Sequence, residues 1–113
     1  MDRKYRFVAK IMEPFAYNLT EEEMNRERRK ARELRSSQWW KRRCAKGTCH
    51  YCGRSSAPKE LTMDHIVPIS RGGRSTKGNV VACCKECNNA KKHLLPMEWE
   101  QYLKDIKKET NQV

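Results

Sequence analysis

The sequence predicts a small α+β domain held together by a structural metal, and three observations carry that reading. Two C-x-x-C pairs, Cys49/Cys52 and Cys84/Cys87, stand well apart in the chain. Short strand-like segments and helical segments alternate around them. Apolar material is scarce, with Leu, Ile, Val and Phe supplying 17 of 113 residues against a net charge of +11. Such a composition leans toward disorder, so the chain needs a staple besides apolar burial. Zn²⁺ serves, because its binding free energy, roughly 10–16 kcal/mol in small zinc peptides, becomes folding free energy.

The length is that of one domain over 1–113, which we divide into an N-terminal extension with a basic helix (1–46), a zinc-stabilised core (47–95) and a C-terminal helix (96–113). Residues 1–19 mix aromatic and aliphatic side chains around Pro14 without a period, as in an irregular lead-in. Thr20 and Glu23 have capping-box spacing, and Glu21 to Glu23 place negative charge at the positive end of a helix dipole. The helix starting there should run to about Arg43, since neither Gly nor Pro interrupts it. From Arg26 to Lys46 the chain carries ten basic and two acidic residues. A charge balance so one-sided favours contact with a phosphate backbone, through Arg28, Arg29, Arg32, Arg35 and Arg42, over a merely solvated face. Trp39 and Trp40 are expected in the core rather than as stacking platforms.

Past the first cysteine pair and a polar turn, Leu61 to Ile69 reads as a strand weakened near its end by Pro68. Arg71 to Gly78 is a loop by composition, Asn79 to Cys83 a second short strand, and Lys85 to Leu95 a short helix. Pro96 opens a last helix whose Trp99, Tyr102, Leu103 and Ile106 share one face.

No apolar run approaches the roughly 20 residues that cross a bilayer, and the first residues lack the features of a secretory signal, so the expected place is the cytoplasm. In a reducing compartment, paired C-x-x-C spacing points to metal ligands; the alternative is a secreted disulfide framework. Four thiolates from Cys49, Cys52, Cys84 and Cys87 can close a tetrahedral, hence structural, zinc site. Cys83 is the alternative to Cys84, and Cys44 and Cys83 otherwise read as small buried hydrophobes.

Asp64-His65-Ile66-Val67-Pro68, the Gly-rich loop, Asn79 fifteen residues after Asp64 and Asn88 nine residues after Asn79 lie between and beside these cysteine pairs. Together, from about Cys49 to Lys91, they resemble the HNH endonuclease family in its variant where two C-x-x-C pairs bind zinc around a ββα-metal core. The resemblance implies a nuclease that hydrolyses phosphodiesters of double-stranded DNA, leaving 5′-phosphate and 3′-hydroxyl ends. It implies that His65 is the general base, a role suited to a neutral imidazole. Asp64 and Asn88 are implied oxygen ligands of a catalytic Mg²⁺ or Mn²⁺, Asn79 a brace for the loop and the His, and Lys91 a contact to a phosphate. Small proteins of this kind are frequent in phages and mobile elements, and cutting both strands would need a homodimer or two visits. Neither a membrane nor a small-molecule substrate is implied. The rival function is a non-catalytic zinc-ribbon module or adaptor that binds DNA.

Overall fold

Thr20 caps the first helix, α1 (Glu21–Arg35), through a complete capping box in which Glu23 N donates to Thr20 Oγ1 and Thr20 N to the Glu23 carboxylate. The computed structural model describes residues 19–111, so all of the lead-in but Leu19 lies outside the described residues. The single helix expected to about Arg43 is corrected to two. Ser37 Oγ donates to Leu34 O (2.6 Å) and accepts from Trp40 N (3.2 Å), so it closes α1 and caps α2 (Gln38–Ala45). Ser side chains compete for backbone partners, and Ser37 uses its hydroxyl to end one helix and start the next where propensity alone would continue a single one.

Trp40 and Cys44 of α2 pack with Leu61 and Ala82 in one small apolar cluster. Trp39 is half-buried, with the Arg43 guanidinium 4.9 Å and the Lys77 ammonium 5.6 Å from its ring. A single 3-10 turn, Pro58–Glu60, leads into β1 (Thr62–His65), which pairs antiparallel with β2 (Val80–Cys83) in the register Thr62 to Cys83 and His65 to Val80. β1 is shorter than the strand expected from Leu61 to Ile69, because the chain bends after His65 and Pro68, which has no N–H for a ladder, leads into a second 3-10 turn, Ile69–Arg71. Two glycines shape the loop beyond that turn. Gly72 sits at φ 95°, and a Cβ on Gly73 would fall on the Val67 carbonyl oxygen, so the loop can press back against the end of β1.

Cys84 caps α3 (Lys85–Lys91), which ends four residues before the expected Leu95, at Lys92 with φ 49°. α4 (Pro96–Asn111) buries Trp99 against Cys49, Cys83, Cys84 and Cys87, while Tyr102, Leu103 and Ile106 on the same face stay partly exposed. Glu98 ties α4 to the loop by an ion pair with Arg71 at 3.1 Å. The fold is thus α+β, with a two-stranded antiparallel sheet, four α-helices and a four-cysteine cluster where β2 meets α3 among the described residues. Among those residues no helix is long and apolar enough to cross a membrane.

Candidate active site and metal centre

Cys49 and Cys52 sit on a turn joined to the sheet by His50 N donating to Ala82 O at 2.9 Å, and Cys84 and Cys87 on the first turn of α3. Their four sulfur atoms lie within 4.8 Å of one another, with Cys52 Sγ and Cys84 Sγ 3.9 Å apart. A zinc–sulfur length of about 2.3 Å sets tetrahedral edges of roughly 3.8 Å, so the four residues fit such an ion. Backbone N–H groups of Tyr51, Cys52 and Cys87 point at these sulfurs, an arrangement suited to thiolates. Arg54 donates to Cys52 Sγ (3.4 Å) and Cys84 Sγ (3.9 Å), and that contact pulls the Cys52 thiol down to about 6. The structure decides between the two adjacent cysteines: Cys84 joins the cluster, whereas Cys83 is fully buried and its thiol is pushed up to about 11 by burial. Cys44 is buried as well.

Successive strand residues face opposite ways, so Asp64 and His65 find different partners. Asp64, 6% exposed, accepts from Tyr51 Oη at 2.6 Å and from the Lys91 ammonium at 3.0 Å, both on Oδ2, which leaves Oδ1 its lone pairs. Burial and the neighbouring Asp64 push the Tyr51 phenol far up, so it remains a donor. Lys91 is 0% exposed and also donates to His65 O at 3.0 Å, with its ammonium 6.0 Å from the Tyr51 ring. The contact to a phosphate expected of Lys91 is thereby corrected, since its ammonium is spent inside the protein on Asp64 and the strand. Removing one partner of such a buried pair costs about 3–5 kcal/mol.

His65 is partly buried, and its Nε2 lies 2.9 Å from Ser75 Oγ. Burial holds its pKa below the usual 6.5; the Asp64 charge opposes this and Arg35 adds to it. Asn79 Nδ2 donates to Val67 O (3.0 Å) and Arg74 O (2.8 Å), and its Oδ1 accepts from Val67 N (3.0 Å), tying both sides of the loop together. Asn88, one turn into α3, donates from Nδ2 to Thr62 Oγ1 at 2.8 Å and so is bound to the start of β1.

Asp64, His65 and Asn88 line one cleft of about 260 Å³, rimmed by Arg28, Lys92 and His93 among others. The oxygen donors of Asp64 and Asn88 suit a hard cation such as Mg²⁺, which retains several waters and takes few protein ligands. Arg28 therefore belongs to the cleft, whereas Arg29, Arg32, Arg35 and Arg42 are exposed on α1 and α2 outside its lining. Sequence reasoning missed Tyr51, Ser75 and Glu27. Tyr51 carries a faint signal, an aromatic inside a cysteine turn; Ser75 in a polar loop and Glu27 in a basic helix carry none.

Residues 49–104 match the family model described as HNH endonuclease. Over 54 residues the chain is 37% identical to the CRISPR-associated endonuclease Cas9 of Actinomyces naeslundii, and over 44 residues 43% identical to the protein of that name from Corynebacterium diphtheriae. These stretches cover 47% and 38% of this chain but only 5% and 4% of those relatives. With a cysteine cluster of zinc geometry and a strand–strand–helix unit that brings Asp64, His65 and Asn88 to one cleft, the chain, through residues 49–104, belongs to the HNH endonuclease family.

Proposed function

We propose that this protein is a metal-dependent endonuclease that hydrolyses phosphodiester bonds of double-stranded DNA. The observation that carries the reading is the convergence of Asp64, His65 and Asn88 on one cleft with Arg28 and Lys92 at its rim, within a segment of HNH family sequence. A phosphodiester drawn in by the basic rim lies among a base and two oxygen donors. His65, kept neutral by burial, takes a proton from the attacking water. Asp64 and Asn88 would hold Mg²⁺ or Mn²⁺ through side-chain oxygens. Bound there, that ion supplies Lewis-acid stabilisation of charge on the phosphate and on the leaving 3′ oxygen. Tyr51 and Lys91 position Asp64, and Asn79 holds the loop against the end of β1. Zn²⁺ on the four cysteines fixes the approach of α3 to the sheet and takes no part in the chemistry. We divide the chain into the basic extension (1–46), the core (47–95) and the terminal helix (96–113).

The test is incubation with supercoiled plasmid in Mg²⁺, Mn²⁺ or EDTA, beside a His65→Ala variant. We expect metal-dependent nicking, reduced about 100-fold or more in the variant while DNA binding persists. Equal cutting by His65→Ala would overturn the mechanism. DNA retained in a salt-sensitive complex without any cleavage would instead assign the protein to the non-catalytic DNA-binding modules.

A further inference from the structure

His65 is bonded to Ser75, and Ser75 is bonded to a helix outside the segment of HNH family sequence. Ser75 Oγ donates its single proton to the Glu27 backbone carbonyl at 2.6 Å, deep in the protein. A carbonyl oxygen only accepts, so the hydroxyl hydrogen is committed there. Toward His65 Nε2, 2.9 Å away, the same oxygen can therefore only accept. Nε2 must carry the proton, and in the neutral ring Nδ1 is left with the lone pair.

The arrangement is held from both sides. Glu27, 1% exposed in α1, accepts from Ser75 N through Oε1 at 2.7 Å, and its other oxygen pairs with Lys30 (2.9 Å) and Arg74 (3.4 Å). Glu23, one turn earlier, meets Arg74 at 3.3 Å. Behind the loop, Gly73 fits only because it lacks a Cβ, and Asn79 binds Arg74 O. Ser75 thus has both its backbone N–H and its hydroxyl fixed by one residue of α1.

We propose that Ser75, anchored by Glu27, is a positioning residue that sets the tautomer and ring orientation of His65, so that α1 is a working part of the active site. On the nuclease reading, on which the kinetic part of this proposal rests, the proton taken from water goes to Nδ1. The imidazolium so formed keeps its Nε2–H on Ser75 Oγ, and the ring does not turn during the transfer. A hydroxyl acceptor aligns the base without the negative charge that a carboxylate partner would bring.

The experiment combines long-range ¹H–¹⁵N spectra of His65 in the full zinc-loaded chain with plasmid-cleavage kinetics of Ser75→Ala and Ser75→Thr. In the parent protein, neutral His65 should show a protonated Nε2, a lone pair at Nδ1 and slow solvent exchange of the Nε2 proton. Ser75→Ala should lose that exchange protection and lower kcat roughly 10- to 100-fold at unchanged KM and zinc content, and Ser75→Thr should restore both. Protonation of neutral His65 at Nδ1, or a Ser75→Ala variant with parental kcat, would overturn the proposal. The parent spectrum decides the tautomer even if a variant does not fold. Should the parent protein show the protected Nε2 proton yet cut no DNA, the Ser75–His65 arrangement stands and the nuclease reading falls.

Discussion

Glu27 shows how a single residue in a basic helix escapes prediction. In sequence it is one of two acids among ten basic residues, with every appearance of a solvated counter-charge. In the folded chain it is buried, and its carboxylate takes an N–H from Ser75 and ion pairs from Lys30 and Arg74. Burial alone would raise its pKa, but the Ser75 N–H, Lys30 and Arg74 outweigh that and hold it below the usual 4.5. A carboxyl with a depressed folded pKa contributes stability above its unfolded value and loses it as pH falls through the folded one. Glu27→Gln, which keeps an oxygen acceptor but no charge, should lower the midpoint of thermal unfolding at neutral pH by an amount corresponding to about 1–3 kcal/mol. That gap should shrink as pH is lowered below 4.5, and melting curves of both proteins across that range check it. Lys91 makes the converse point: the family resemblance implied an outward reach to a phosphate, but its ammonium is spent on Asp64 and His65 O.

Among the elements, the capping box at Thr20 and Glu23 was legible because its two bonds are local. The break at Ser36 and Ser37 was not. Both serines are tolerable in a helix, and the break is sustained by Trp40 packing on Leu61 and Ala82, partners distant in sequence. The turn leaves α1 crossing the loop at Arg74 and Ser75, and it leaves Arg28 at the cleft with Arg32 one turn farther along, both exposed. Reversing charge at both, as Arg28→Glu with Arg32→Glu, should weaken DNA binding and flatten its salt dependence by about one to two phosphate contacts in slope. Titrations at several salt concentrations measure this. An unchanged slope would make the helix structural, with no role in holding DNA.

For the molecule as a whole the governing fact is the thinness of the core, which among the described residues consists of two small clusters, one of them mostly cysteine. Trp99 shares one buried cluster with Cys49, Cys83, Cys84 and Cys87, so the clamp and the hydrophobic anchoring of α4 are one structure. Removing zinc with a strong chelator, or replacing Cys87 by Ser, should abolish the cooperative thermal transition and shift tryptophan emission to longer wavelength, since roughly 10–16 kcal/mol of folding free energy goes with the ion. Metal content and emission measured on the same sample check this; a folded, zinc-free protein would refute it. Tyr51, set between Cys49 and Cys52 and bonded to Asp64, links this clamp to the cleft. The cysteine pairs, the two short strands and the helix after them were readable from local spacing, whereas the roles of Asp64, His65, Asn79 and Asn88 were implied by the resemblance to the HNH family. Tertiary packing was needed to turn Lys91 inward and to stand Glu27 and Ser75 behind His65. Those outcomes depend on which distant groups must share a buried space and satisfy one another's hydrogen bonds, and no local pattern encodes that.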